Sequence, residues 1–86
     1  MKIKGEFIIR EVAGQNVVIP SGENLNLNVM ITLNETGAFL WKLLETETSE
    51  EVLMAALQAE YDVDEVTVRK AVQSFVRTLK DHDLLA

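Results

Sequence analysis

Few side chains in this 86-residue sequence have the type and spacing that catalysis or metal binding requires. The single histidine, His82, lies between Asp81 and Asp83, where it could act as a general base or a metal ligand. A zinc or iron site would need further histidines or cysteines, and the sequence contains no cysteine. We therefore interpret His82 as a solvated residue in the last turn of a helix, where a partly protonated imidazole suits the dipole.

The remaining candidates for chemistry are weaker. An acidic run has a spacing that does not match a calcium loop, and acidic residues are expected in the first turn of a helix in any case. This run comprises Glu45, Glu47, Glu50 and Glu51. No serine stands in a nucleophile-elbow context, and four scattered glycines do not form a phosphate-binding loop. We expect no catalytic residue, no metal site and no cofactor.

Charge and hydropathy narrow the classes of partner. Eight basic and fourteen acidic residues give a net charge of −6, which disfavours binding to nucleic acid and to anionic lipid. No apolar run approaches the roughly 20 residues of a membrane span. The apolar fraction of 48% is that of a globular chain, and the length fits one domain over residues 1–86. We expect a soluble, cytoplasmic protein.

The first half of the chain has the period of β-strands. We predict strands at about residues 6–13, 16–20 and 25–33, separated by turns near Gly14 and Gly22. The third segment alternates most clearly. Its apolar face comprises Leu25, Leu27, Val29, Ile31 and Leu33. This alternation predicts a half-buried antiparallel strand.

The second half has the period of α-helices, predicted at about residues 35–45, 49–60 and 64–81. Asn34 is placed to cap the first helix, and Thr48 with Glu51 forms a capping-box pattern for the second. Gly37 lies inside a helix despite its low helix propensity, which indicates close packing there. The fold class is therefore α+β, a three-stranded antiparallel sheet followed by three helices.

Two features suggest a binding surface. In a three-stranded meander the third strand is an edge, and residues 25–33 contain neither charge nor proline to protect it. Such an edge can accept an added strand from a partner, or a helix or loop can cover it. The second feature is a basic stripe on one face of the third helix, stepping by four, four and three residues. The residues of this stripe are Arg69, Gln73, Arg77 and Lys80, and we call them the basic stripe.

The basic stripe favours a partner that bears carboxylates, although solvation and pairing with acids such as Glu65 would also explain it. Together, edge and stripe suggest a groove in which the third strand supplies main-chain hydrogen bonds and the third helix supplies charge and apolar pockets. The alternative hypothesis is a small DNA-binding regulator, since Arg69, Lys70, Arg77 and Lys80 could lie on a recognition helix. A third is a structural subunit of an enzyme complex that makes no contact with a peptide.

The sequence also resembles the PqqD-like family, relatives of pyrroloquinoline quinone biosynthesis protein D, from about Glu6 to Leu85. The resemblance lies in Leu33-Asn34, Thr36-Gly37, the aromatic helix at 41–44, the Tyr-Asp-Val-Asp step at 61–64, and Phe75 with Leu79. One departure is the tail His82-Asp83-Leu84-Leu85, where family members often have Glu-Gly-Leu-Leu.

The resemblance implies a winged helix-turn-helix-like fold and a non-catalytic peptide chaperone. Such proteins bind the leader of a ribosomally synthesised precursor peptide as a strand beside strand three, against helix three. They present it to a modifying enzyme, often a radical S-adenosylmethionine (radical SAM) enzyme, or to a leader peptidase. Carried over by position, the binding strip is Leu27, Asn28, Val29, Met30, Ile31 and Thr32. The helical wall is Val68, Arg69, Val72, Gln73, Val76 and Arg77. We expect a monomer or a weak strand-swapped dimer.

Overall fold

In a computed structural model that describes residues 1–20 and 31–86, three strands precede three helices. The elements are β1 (Phe7–Val12), β2 (Gln15–Pro20), β3 (Ile31–Leu33), α1 (Glu35–Leu43), α2 (Glu50–Glu60) and α3 (Glu65–Asp81). The predicted α+β class is confirmed, and each helix begins and ends within two residues of its predicted bounds. Of the third strand predicted at 25–33, residues 25–30 lie outside the described residues.

The sheet is antiparallel and has the strand order β1-β2-β3. Val12 pairs with Gln15 across a two-residue turn, in which Ala13 and Gly14 have φ angles of 53° and 79°. Two successive positive φ angles are the mark of the tight hairpin turn whose twist suits antiparallel strands, and glycine reaches them without steric cost. The turn therefore lies one residue earlier than the sequence suggests and begins at Ala13.

Side-chain caps fix where the helices begin. Asn34 caps α1 as predicted, since its Oδ1 accepts a hydrogen bond from Gly37 N at 2.7 Å. Ser49, and not Thr48, caps α2, because Ser49 Oγ accepts from Val52 N at 3.3 Å. The capping-box prediction at Thr48 is thus wrong by one residue.

The core lies between one face of the sheet and the three helices. Val18 and Leu33 of the sheet meet Leu40, Trp41 and the apolar stripe of α3 in a single buried cluster. Trp41 is fully buried, which places it in the core. The stripe contributed by α3 consists of Val68, Val72, Phe75, Val76 and Leu79. Burial of these side chains fixes how α3 is seated against the sheet.

The segment before β1 forms hydrogen bonds both with the end of α1 and with the tail that follows α3. Ile3 N donates to Leu44 O at 2.8 Å, Lys4 N donates to Leu84 O at 2.9 Å, and Ile3 forms a bridge with Leu85. Ile3 and Leu84 are both buried. The tail, with its His82-Asp83-Leu84-Leu85 sequence, therefore packs into the core through Leu84.

Candidate functional site

The outer edge of β3 is the first part of the candidate site. β3 pairs with β2 on one side only, in the register Asn16 to Leu33, Val17 to Thr32 and Val18 to Ile31. Within residues 1–20 and 31–86, no strand pairs with its other side. Ile31 is half-buried, Thr32 exposed and Leu33 buried, which is the alternation expected of a strand with one face on the core.

A groove of about 350 Å³ runs beside β3, between the strand and the helices. The strand and the residue after it contribute Ile31, Thr32, Leu33 and Asn34 to its lining. α1 contributes Thr36, Gly37 and Leu40, and α3 contributes Ala71, Ser74, Phe75 and Thr78. We call this feature the β3–α3 groove.

Gly37 determines how closely α1 approaches the other walls of the β3–α3 groove. A Cβ atom at this position would lie 3.2 Å from Asn34 Oδ1, 3.4 Å from Leu33 Cβ and 3.4 Å from Phe75 Cε1. Little room is left there for a side chain, so the close packing inferred from a glycine within a helix is found in the structure.

The described lining of the β3–α3 groove contains no charged side chain. One wall is a strand edge, where backbone N–H and C=O groups can pair with an extended chain. The opposite wall presents the methyl of Ala71 and the ring of Phe75 together with two hydroxyl side chains, Ser74 and Thr78. This arrangement suits an extended peptide that pairs through its backbone and places apolar side chains against α3.

A smaller, mainly apolar pit of about 130 Å³ adjoins the groove. Thr36 and Ala71 line both cavities, and the pit is completed by residues that include Leu57, Tyr61 and Val63. Partial burial, followed by the nearby carboxylates of Glu35 and Glu60, raises the pKa of the Tyr61 phenol above its ordinary value. A shift in this direction further favours the uncharged phenol beside this apolar pit.

The residues predicted from sequence fall into three groups. Ile31 and Thr32 line the β3–α3 groove. Leu27, Asn28, Val29 and Met30 lie outside the described residues. The six predicted residues of α3 do not line the described groove: Val68, Val72 and Val76 are buried in the core, whereas Arg69, Gln73 and Arg77 are exposed.

The rotation of α3 explains this difference. At 100° per residue, the centre of Arg69, Gln73 and Arg77 lies roughly 150° around the helix from the centre of the groove-lining residues. Those groove-lining residues are Ala71, Ser74, Phe75 and Thr78. Most of the basic stripe therefore faces away from the groove.

Sequence reasoning missed the groove-lining residues of α3, although a signal for them existed. Ala71 and Phe75 widen the apolar stripe of α3 from an arc of roughly 80° to one of roughly 140°. Neither residue is among the helical-wall residues that the sequence predicts. Phe75 is buried in the core and also lines the groove, while Ala71 is half-buried. A stripe of that width is wide enough to contact both the core and the groove.

The basic stripe is divided by its surroundings. Arg69 Nη2 forms an ion pair with Glu65 Oε1 at 3.0 Å, one turn earlier on α3. Arg77 and Lys80 instead line a second, polar cleft between α3 and the start of α2, together with Lys70. Pairing with Glu65, one of the two explanations for the stripe, therefore accounts for Arg69 alone.

His82 lies where the helix interpretation predicts, as the C-cap residue directly after α3. It is exposed, and its Nδ1 is 2.9 Å from Thr78 O. In the described part of the chain, no three His, Cys, Asp or Glu side chains are grouped so that they could hold a metal ion. None of the described helices combines the length and apolar character needed to cross a membrane.

Comparison with known proteins agrees with this geometry. Residues 15–85 match the family model described as coenzyme PQQ synthesis protein D (PqqD). A solved structure described as TbiB1 in complex with the TbiA(beta) leader peptide is 28% identical, with a TM-score of 0.76 over 99% of this chain and 94% of that one. No curated protein sequence matches the chain.

A second solved structure, described as lasso peptide synthetase B1 complexed with the leader peptide, is 18% identical. It superposes with a TM-score of 0.73 over 96% of this chain and 93% of that one, a likeness of fold. The family model spans the β2–β3 pair and all three helices, which together carry the β3–α3 groove. With the sequence, the fold and the groove in agreement, this chain belongs to the PqqD family.

Proposed function

We propose that this protein is a non-catalytic carrier that binds the leader of a ribosomally synthesised precursor peptide in the β3–α3 groove. The observation that carries the proposal is the juxtaposition of a strand edge, β3, with an uncharged wall of α3 across one groove. Family membership and the 28% identical relative, which is solved in complex with a leader peptide, support the same assignment.

The proposed mode of binding is strand addition. The leader would lie beside the strip predicted from sequence, Leu27, Asn28, Val29, Met30, Ile31 and Thr32, and pair with its backbone. Alternate side chains of an added strand point to the same face, so every second leader residue would face α3. We assign the α3 wall to Ala71, Ser74, Phe75 and Thr78 because these residues line the groove opposite β3.

The energetics indicate what a good leader must contain. Each added main-chain hydrogen bond contributes roughly 0.5–1.5 kcal/mol, whereas ordering a disordered leader costs about 2–5 kcal/mol or more. The free energy gained from these hydrogen bonds is thus largely offset by the cost of ordering the leader. One fully buried leucine or isoleucine side chain adds about 1.5–3 kcal/mol, so apolar anchors would decide the affinity. This keeps binding reversible, which a carrier that hands on its peptide requires.

The enzyme that receives the peptide completes the proposal. We infer that the carrier presents its bound leader to a modifying enzyme, either a radical SAM enzyme or a leader peptidase. We further propose that residues 1–86 act as one recognition domain in the cytoplasm, without a cofactor, as a monomer or a weak strand-swapped dimer. Sedimentation of the protein over a range of concentrations distinguishes these two states.

The decisive experiment is a backbone amide NMR titration with the leader half of a short precursor peptide encoded beside this protein. We expect shifts concentrated at 31–34 and at Ala71, Ser74, Phe75 and Thr78. A peptide of the same composition in scrambled order is the control, because it keeps charge and hydropathy but loses the order of anchors. Shifts spread evenly over the surface, or equal shifts with both peptides, would contradict the proposal.

Duplex DNA is the second arm of this titration. Tight, salt-sensitive binding of DNA through α3, with no response to the leader, would identify a winged-helix regulator instead. An absence of amide shifts with both ligands would favour a structural subunit of an enzyme complex. Each outcome therefore selects one of the three functions considered from sequence.

A further inference from the structure

The face of α3 that adjoins the groove-lining face borders a second cavity, of about 700 Å³, which we call the basic cleft. Its basic side chains are Lys70, Arg77 and Lys80, and its polar side chains include Gln73 and Ser74. At 1.5 Å per residue, the three basic positions span roughly 15 Å along the helix. The cleft is therefore long enough for several residues of a bound segment.

The three cations of the basic cleft are exposed. Among the described residues, ion pairs join only the N-terminal amine to Glu47, Lys4 to Asp83, and Arg69 to Glu65. Lys70, Arg77 and Lys80 thus have no carboxylate within ion-pair distance in the part of the chain that the structure describes. The acidic residues that border the cleft, Glu50 and Asp81, are outnumbered.

The basic cleft and the β3–α3 groove are adjacent but chemically different. Ser74 lines both cavities, so they meet at this residue on the surface of α3. The described lining of the groove is uncharged, whereas the cleft gathers three of the eight basic residues of a chain with a net charge of −6. One extended peptide pairing with β3 needs none of these cations, which indicates a separate occupant for the cleft.

We propose that the basic cleft is a docking site for an acidic segment of a partner protein, distinct from the occupant of the β3–α3 groove. Carboxylates are the complementary groups, because Lys70, Arg77 and Lys80 offer donors for charge-assisted hydrogen bonds. Nucleic acid is less favoured, because three cations on a protein of net charge −6 neutralise few phosphates. The site would let α3 contact a partner on one face while a second ligand occupies the groove.

The test uses a ten-residue polyglutamate peptide with blocked ends as the probe, and a polyglutamine peptide of equal length as its control. NMR titration of the full chain at low ionic strength should shift the amides near Lys70, Arg77 and Lys80, with little change at 31–34. Raising the salt to about 0.15 M should weaken binding, since exposed charges are then screened beyond about 8 Å. Polyglutamine should produce no such shifts.

Two variants with the same change of net charge separate the basic cleft from general electrostatics. Arg77→Glu should weaken polyglutamate binding roughly fivefold or more, because an attraction is replaced by a repulsion. Lys42→Glu, at an exposed position of α1 that does not line the cleft, should change it less than twofold. Unchanged amide spectra elsewhere would confirm that both variants are folded.

Three results would overturn the proposal. The first is an absence of polyglutamate binding, or shifts that centre on the β3–α3 groove. The second is equal weakening by Arg77→Glu and Lys42→Glu, which would indicate attraction without a site. The third is a short DNA duplex that binds the same residues more tightly than polyglutamate at equal salt. An absence of polyglutamate binding, or equal weakening by the two variants, has no bearing on leader binding in the groove, so the basic cleft can fail while the proposed function stands.

Discussion

Gly37 of α1 packs against the ring of Phe75 in α3: a Cβ atom at position 37 would lie 3.4 Å from Phe75 Cε1. The same atom would lie 3.2 Å from Asn34 Oδ1, which is tighter than most real contacts of a Cβ. Both Gly37 and Phe75 line the β3–α3 groove. The missing side chain therefore sets the separation of the two helices where they meet the strand.

Gly37→Leu should destabilise the fold because its side chain has no space between Leu33, Asn34 and Phe75. Overpacking of this kind costs about 1–3 kcal/mol in the free energy of unfolding, measured by chemical denaturation. Gly5→Leu is the matched control, since nothing lies within 4 Å of a Cβ at Gly5. It should change stability by no more than about 0.5 kcal/mol. Equal effects of the two substitutions would contradict close packing at Gly37.

Asn34→Ala should remove the N-cap of α1. The hydrogen bond from Gly37 N to Asn34 Oδ1 would be lost, leaving a backbone donor without its partner. We expect a loss of about 0.5–2 kcal/mol in the free energy of unfolding. Asn34→Asp keeps an acceptor oxygen in the same place and should retain nearly full stability. Equal stability of the Asn34→Ala and Asn34→Asp variants would contradict a stabilising cap at Asn34.

Ala71→Glu should prevent leader binding by placing a carboxylate in an uncharged groove. Burial of an unpaired charge beneath a bound peptide is strongly unfavourable, so we expect at least a roughly tenfold loss of leader affinity, measured by fluorescence anisotropy. Ala59→Glu makes the same change at an exposed site on α2 and should alter affinity less than twofold.

A second variant shows whether a loss of affinity in Ala71→Glu reflects a blocked groove or an unfolded protein. Ser74 is exposed and lines the β3–α3 groove, so Ser74→Trp fills the groove without disturbing the core. It should also weaken leader binding while thermal unfolding stays close to that of the parent. Full leader affinity in both folded variants would place the peptide elsewhere.

The double variant Arg69→Glu, Arg77→Glu decides whether these two arginines of the basic stripe contact the leader. Their side chains are exposed and are absent from the described lining of the β3–α3 groove, so leader affinity near 0.15 M salt should change less than twofold. The matched control is Lys2→Glu, Lys42→Glu, which makes the same change of charge at two exposed positions. A selective tenfold loss with the arginine variant would support the charge contact predicted from sequence.

Local patterns were sufficient for the secondary structure and for the fold class. The four- and three-residue spacing of Val68, Val72 and Phe75 places these side chains on one face only in a helix, and the cap at Asn34 follows from a hydrogen bond within four residues. Alternation likewise predicted that Leu33 is buried and Thr32 exposed. Each of these features depends on neighbours in the chain. For that reason they can be predicted without the tertiary structure.

The sequence by itself therefore determined the order of elements, the strand edge, and the resemblance to the PqqD family. Only the tertiary structure decided which face of α3 meets that edge. Periodicity defines the apolar stripe of a helix, but the stripe of α3 is wide enough to contact two neighbours. Burial of that stripe in the core, which also contains Trp41 and Leu53, turns Ala71 and Phe75 towards β3 and leaves Arg77 on another face. That rotation is set by contacts between residues distant in the chain, which no local pattern records.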